Sequence, residues 1–327
     1  MTERVYSGRG ARRAEAPRFT RVSQAAITAP ENYRATPELA TAVEVAITLA
    51  QPLLLTGLPG TGKTQLAHSI AWELGYGDRA LTFETKSTSV SRDLFYYYDT
   101  LGRFQASYLE DASKDPLEYI EYNALGKAIL LAHPAEDVKH LLPKRFVHPG
   151  PAQQSVVLID EIDKAPRDFP NDLLNEIEGM FFRIPELRNA MIAAPSEMRP
   201  IVIITSNSEK NLPDAFLRRC IYHHIPKPSA DDLRQIVSLR VAPIATEEKA
   251  GFDSALDLFI RLRDDNSGVS KKPSTAELIA WIAVLRKRNT DFKVRLKKED
   301  VEQTLCTLVK LQDDNDPARR ILDQWVK

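Results

Sequence analysis

Five short strand-like runs recur along the chain up to residue 225: Pro52–Thr56, Val156–Ile159 and Ile201–Thr205, which are almost wholly apolar, and Ala80–Glu84 and Ile221–Ile225, which mix apolar and polar residues. Unbroken apolarity, as opposed to alternation, is what a parallel strand covered on both faces requires. The stretches between them carry a helical period. Leu39, Val43, Ile47 and Ala50 predict one apolar face of a helix, which Thr36-Pro37-Glu38 opens with an N-cap and a proline at the first helical position. Leu66, Ala67, Ile70, Ala71 and Leu74 predict a second helix directly after the first run. Strand and helix in alternation predict an α/β fold around a parallel sheet.

Residues 87–155 are too long for one ordinary crossover. Within them, Asp93–Asp99 and Arg103–Tyr108 flank Thr100-Leu-Gly102, a pattern that predicts a hairpin. A helix is expected next, with Leu117, Ile120, Leu125 and Ile129 as its buried face. The adjacent aromatics fasten the hairpin to that helix, or alternatively grip a threaded partner. Asp172–Gly179 reads as a helix and Phe181–Arg199 as a second hairpin.

Beyond Pro226-Lys-Pro-Ser229 the pattern is helical only. Ser274-Thr-Ala-Glu277 fits a capping box ahead of Leu278, Trp281, Ile282 and Leu285. Asp300 is expected to cap a later helix carrying Val301, Leu305, Leu308 and Val309. The expected organisation is therefore a basic arm over 1–21, an αβα core over 22–228 and a helical domain over 229–327. Arg4, Arg9, Arg12, Arg13, Arg18 and Arg21 make the arm basic, and without a following apolar segment it reads as a solvated tail and not a secretory signal.

The candidate chemistry sits at the ends of the apolar runs. Gly57-Leu-Pro-Gly-Thr-Gly-Lys-Thr64 fits G-x-x-x-x-G-K-[ST] and lies between a strand and a helix, the context that confirms a phosphate-binding loop. Gly57, Gly60 and Gly62 let successive N–H groups turn inward, making with the helix N-terminus a nest for an anion. Lys63 adds a positive charge toward the β- and γ-phosphates of ATP, and the Thr64 hydroxyl can ligate Mg²⁺. Val156-Val-Leu-Ile159 runs straight into Asp160-Glu161. A buried parallel strand ending so delivers both carboxylates to the carboxyl edge of the sheet, where ligands bind. Asp160 would hold Mg²⁺ through water, and Glu161 would polarise the attacking water. Asp163 and Lys164 read as solvated residues of the following turn. Asn207, at the end of another apolar run, could position the water or touch the γ-phosphate. His223 and His224 alternate along a strand and cannot share a metal.

Charge and cysteine usage narrow the classes. A net charge of −1 gives no global field toward nucleic acid or acidic membranes. No run of eighteen apolar residues occurs, so no membrane span is expected. Two distant cysteines, Cys220 and Cys306, make no disulfide framework and suit a reducing cytoplasm.

Phosphate loop, Asp-Glu strand, Asn strand, the arginine-tipped Leu212–Cys220 segment and a helical C-terminal domain, in that order, resemble an AAA+ ATPase. The two hairpin insertions and Phe146-Val-His-Pro-Gly-Pro151 are similar to the MoxR-type branch. Leu212-Pro-Asp-Ala215 and Lys272–Trp281 resemble its CoxD-like subgroup. The resemblance covers roughly residues 22–310. It implies a P-loop NTPase core with an all-α lid, acting as a ring of usually six subunits with ATP between neighbours. Gly57, Leu58, Pro59, Gly60, Thr61, Gly62, Lys63, Thr64 and Gln65 would then contact nucleotide, with Thr64 and Asp160 at the metal. Arg219, with Arg218 as second choice, matches the arginine finger that reaches a neighbour's γ-phosphate. Lys272 is the best match for a lid sensor, with Lys271 and Ser274 as alternatives. Where relatives carry arginine there, a lysine supplies charge but no two-pronged contact. The resemblance further implies chaperone-like remodelling or cofactor loading of a protein client, through a von Willebrand factor A-domain adaptor. Two other readings stand beside it: a nucleotide-dependent switch with little turnover, and a clamp-loader or helicase-like DNA motor, which the neutral charge disfavours.

Overall fold

The computed structural model describes residues 21–23, 27–106, 108, 115–208, 212–241, 243–288 and 290–326. In chain order its strands are β1 (Leu53–Thr56), β2 (Leu81–Glu84), β3 (Tyr96–Tyr98), β4 (Ile120–Tyr122), β5 (Val156–Asp160), β6 (Phe181–Ile184), β7 (Ala190–Ala193), β8 (Ile201–Thr205) and β9 (Ile221–His224). The five runs form one sheet in the order β2-β5-β8-β1-β9, parallel throughout. Except for Arg21, the expected basic arm over 1–21 lies outside the described residues.

By contacts the chain divides into two units. Tyr33–Lys227 holds the sheet; Pro228–Lys327 clusters with the segment up to Asn32. In the first unit the strands sort their side chains by parity. Leu53, Leu55, Val156, Leu158, Ile201 and Ile203 face the helices Pro37–Thr48 and Lys63–Glu73. Leu54, Val157, Ile159, Val202 and Ile204 face the helix Ala124–Leu131, the Phe169–Gly179 segment and the two insertions. In the inner strands β1, β5 and β8 both faces are buried, which is why no alternation shows in their sequences. The edge strands β2 and β9 instead alternate between half-buried and exposed residues.

The Thr36 hydroxyl accepts the Leu39 N–H at 3.3 Å, with Pro37 at the first helical position. The helix turns only part of the expected face inward: Leu39 is buried and Val43 packs against the core. Leu39 and Ala46 are buried, whereas Ile47 is exposed and Ala50 lies past the helix end at φ +51°. Ala42 and Ala46 complete the inward face in place of Ile47 and Ala50.

The first insertion also departs from expectation. Thr100–Ala106 is a helix and not the far side of a hairpin, because the Asp99 carboxylate accepts the Gly102 N–H at 2.8 Å and starts the turn. β3 pairs instead with β4, Tyr96 opposite Tyr122. The helix expected across Leu117–Ile129 is accordingly split into a 3₁₀ turn at Pro116–Tyr119, strand β4 and the helix Ala124–Leu131. Phe95, Tyr96, Tyr98 and Tyr122 are buried there, and Tyr97 is exposed. The second insertion is the expected hairpin, with Phe181 opposite Ala193 and Ile184 opposite Ala190.

The C-terminal unit is helical among its described residues, with Phe259, Leu278, Trp281, Ile282, Leu285, Leu322 and Trp325 in its core. The capping box forms as read: Ser274 Oγ accepts the Glu277 N–H, and a Glu277 carboxylate oxygen accepts the Ser274 N–H at 2.6 Å. Asp300 is not a cap. It lies in the first turn of Lys298–Glu302, and Thr304 ends that helix by donating its hydroxyl to the Asp300 carbonyl at 2.9 Å.

Candidate functional site

The register of the parallel strands brings the polar ends together. Glu84 lies opposite Asp160, Ile159 opposite Ile204 and Leu55 opposite Thr205, so β5, β8 and β1 finish at one level. Asp160, Glu161, Thr205 and Asn207 therefore gather beside the loop that follows β1.

That loop depends on glycine at two places. Gly57 has φ +143°, and a Cβ there would stand 2.6 Å from the Ile225 carbonyl oxygen. Gly62, at φ +94°, caps the helix that begins at Lys63, and a Cβ would come within 3.1 Å of the Tyr33 ring. Glycine frees both positions from the steric penalty on left-handed backbone.

Lys63 is only 7% exposed. Its ammonium donates to the carbonyls of Gly57 at 2.7 Å and Leu58 at 3.2 Å, and to Asn207 Oδ1 at 3.0 Å. Burial lowers its pKa; the carboxylates of Asp163, Asp160 and Glu161 act the other way. The Thr64 hydroxyl lies against Asp160, 3.0 Å from Oδ1 and 3.2 Å from Oδ2. Next in the helix, Gln65 Oε1 is buried with no hydrogen-bond partner.

Glu161 leaves the strand in the left-handed region, φ +54° and ψ +53°. For a side chain of this kind that costs roughly 1–2 kcal/mol. Three neighbours hold the acidic turn. The Thr205 hydroxyl donates to Asp160 Oδ1 at 2.6 Å and accepts the Glu161 N–H at 2.8 Å. Lys164 pairs with the Glu161 carboxylate. Asp163 Oδ1 accepts the Asn207 N–H at 3.1 Å. Asp163 is thus part of this cluster and not merely a solvated turn residue, whereas Lys164 is exposed in the turn as expected and pairs with Glu161 from there.

Arg218 and Arg219 stand elsewhere. Arg219 donates from Nε to Glu178 at 2.9 Å and to the Ala215 carbonyl at 3.1 Å. It lines a cavity of about 200 Å³ with Leu49, Pro52 and Cys220, at the amino end of β1. The phosphate loop follows the opposite end of that strand, about 13 Å along it. Arg218 is exposed. Lys272, in the other unit, donates to Ser267 Oγ at 2.7 Å and to the Asp264 carbonyl. Lys271 donates its N–H to Asp314 at 3.0 Å, and Ser274 is occupied as a cap.

The profile of the ATPase family associated with various cellular activities (AAA) matches residues 53–228. The chain belongs to this family. Its parallel core and the helices after residue 230 are those of an AAA+ P-loop NTPase. Two structures of the Thermotoga maritima RuvB Holliday junction branch migration motor, one a point variant, align at 17% identity over 82% of this chain with a TM-score of 0.41. The chain spans 66% of that motor's length. No curated protein matches the chain by sequence. Among the described residues no helix is long and apolar enough to cross a membrane.

For an AAA ATPase the donor set is apt. Thr64 and Asp160 offer the oxygen ligands that a hard divalent cation takes. Lys63 has its ammonium held by carbonyls at the mouth of a loop whose glycines leave room for an anion. Of the groups gathered here, Thr205, Asp163 and Tyr33 were not singled out for the site from the sequence. The single hydroxyl in the Ile201–Thr205 run was the one local signal for Thr205.

Proposed function

We propose that the protein is a Mg²⁺-dependent ATP hydrolase of the MoxR-like type, working as a ring of subunits to remodel, activate or load a protein partner. The observation that carries the chemical part is the meeting of Lys63, Thr64, Asp160, Glu161 and Asn207 at one sheet edge. Lys63 and the loop N–H groups hold the phosphates. Thr64 and Asp160 would hold Mg²⁺, which would supply positive charge against the phosphates. Glu161 accepts a proton from the attacking water, and Asn207 orients that water or the γ-phosphate. In this reading the Lys164–Glu161 pair opens when nucleotide enters.

Arg219 sits at the sheet's opposite edge, too far along β1 to serve its own site. That placement supports its assignment as the finger for the neighbouring subunit's nucleotide, where it neutralises charge developing in transfer. Lys272 as lid sensor, a protein client and a von Willebrand factor A-domain adaptor complete the proposal by resemblance alone.

Steady-state ATP hydrolysis against protein concentration tests it, with Arg219→Ala beside the wild type. Specific activity should rise with concentration, and the variant should bind ATP yet turn over about 10³-fold more slowly. Activity independent of concentration, with Arg219→Ala silent, would overturn the shared site.

A further inference from the structure

We propose that Thr205 is the positioning residue that sets both acids of the site. The proposal rests on the hydrolytic reading above and deepens it. Thr205 is fully buried at the end of β8. A hydroxyl has one proton and two lone pairs. Here the proton goes to Asp160 Oδ1 at 2.6 Å, and a lone pair takes the Glu161 N–H at 2.8 Å. One side chain thereby fixes the carboxylate of the metal-binding acid and the backbone of the water-polarising acid.

The second contact matters because of where Glu161 lies. β5 leaves the sheet at Asp160, so the next N–H has no ladder acceptor. Thr205 supplies one, and the left-handed turn at Glu161 is held by it. With that bond gone, the backbone can relax to the right-handed region and re-aim the carboxylate. The first contact divides the work of Asp160. Thr205 takes Oδ1 at a short distance, while Thr64 approaches both oxygens more loosely. Oδ2 is left as the oxygen freer to face a metal-bound water.

A threonine chosen only for the strand could be valine, which has the same shape and as strong a β preference. Valine would set a methyl 2.6–2.8 Å from an oxygen and a nitrogen, so the acids would have to move as well as lose their partner. The hydroxyl is therefore placed for the site and not for the sheet.

The test compares Thr205→Val, Thr205→Ser and Thr205→Ala with the wild type, and includes Glu161→Gln as a control on the underlying reading. Two quantities are read: turnover, and the Mg²⁺ dependence of binding a fluorescent ATP analogue. In Thr205→Val, kcat should fall about 10- to 100-fold and the Mg²⁺ needed for half-maximal binding should rise, while metal-free analogue affinity stays within about threefold. Thr205→Ser should restore most of both. Should the valine variant fail to fold, the serine and alanine variants differ only by the hydroxyl and carry the same comparison. Equal turnover and equal Mg²⁺ dependence in serine and alanine variants would overturn the proposal. Wild type without turnover, or Glu161→Gln without effect, would sink the hydrolytic reading instead, and the Mg²⁺ titration would still decide Thr205.

Discussion

The sheet unit and the C-terminal unit treat their interior polar groups in opposite ways. In the C-terminal unit no buried side-chain N or O atom among the described residues is left without a partner. Trp281 Nε1 donates to Thr304 Oγ1 at 2.8 Å and Trp325 Nε1 to the Ser254 carbonyl at 3.2 Å. Asp314, 1% exposed, takes the N–H groups of Ser270 and Lys271. The sheet unit keeps tension instead. Among the described residues the buried side-chain atoms without a partner are those of Gln65, Thr85 and Arg199, all in that unit. Lys63 is a desolvated cation, as Arg263 also is in the C-terminal unit, but among the described residues the non-glycine residues in the left-handed region, Glu161 included, all lie in the sheet unit. Such features cost free energy, persist where the surrounding structure holds them and cluster at ligand sites, and Lys63, Gln65 and Glu161 stand together at the phosphate loop. One unit is arranged for packing, the other for a ligand.

The largest effect expected from this contrast is on Lys63. In Lys63→Met, kcat/KM for ATP should fall about 10³-fold or more, about 4 kcal/mol of transition-state stabilisation. The melting temperature of the nucleotide-free protein should stay within about 2 °C, because the lost ammonium was a buried charge. The pH dependence has a definite sign. Burial depresses the Lys63 pKa in the folded state below its ordinary 10.5. The cost of holding the cation is present in full below that depressed value and is relieved as pH rises through it. Wild-type stability should therefore gain on Lys63→Met between neutral and alkaline pH, measured by urea titration. A variant that melts far below wild type at neutral pH would break the contrast.

Trp281→Ala probes the other side. Trp281 is fully buried among Leu278, Ile282 and Leu285, and its loss should cost about 3–4 kcal/mol of stability. Trp325 remains in the same core and Trp72 stays half-exposed in the sheet unit, so the fluorescence change on denaturation reports mainly the C-terminal unit. A shift under about 1 kcal/mol would mean that this core tolerates a void that close packing should forbid.

The same contrast accounts for what could be read from the chain. The phosphate loop, the Asp160-Glu161 strand end and the Ser274–Glu277 cap are contiguous, so their chemistry is legible in a few residues. Thr205 gains its role only because β8 lies next to β5 in a register that sets Ile204 against Ile159. Asp163 gains its role because Asn207 comes back to it across 44 residues. Helix Pro37–Thr48 was legible in part: Leu39 and Val43 pack inward as expected, while Ala42 and Ala46 take the places expected for Ile47 and Ala50, because the sheet it packs on selects the face. The first insertion was misread where a local signal, glycine at 102, competed with the Asp99 cap and with the distant partner β4.

The cysteines give the smallest and cleanest test, since neither is needed for activity in this account. Cys220 lies in the sheet unit beside the cavity that Arg219 lines, and burial pushes its thiol up to about 12. At pH 8 its thiolate is then roughly one part in ten thousand, and the thiolate is the species that alkylates. Cys306 is exposed in the C-terminal unit. Under native conditions iodoacetamide should modify Cys306 about 100-fold faster than Cys220, leaving turnover unchanged, and Cys220 should react readily only once the chain unfolds. Peptide mass mapping over time distinguishes the two. Equal rates would mean that the sheet unit opens around Cys220 far more often than its packing against Phe216 and Ile177 implies, and the unit would then be the looser of the two.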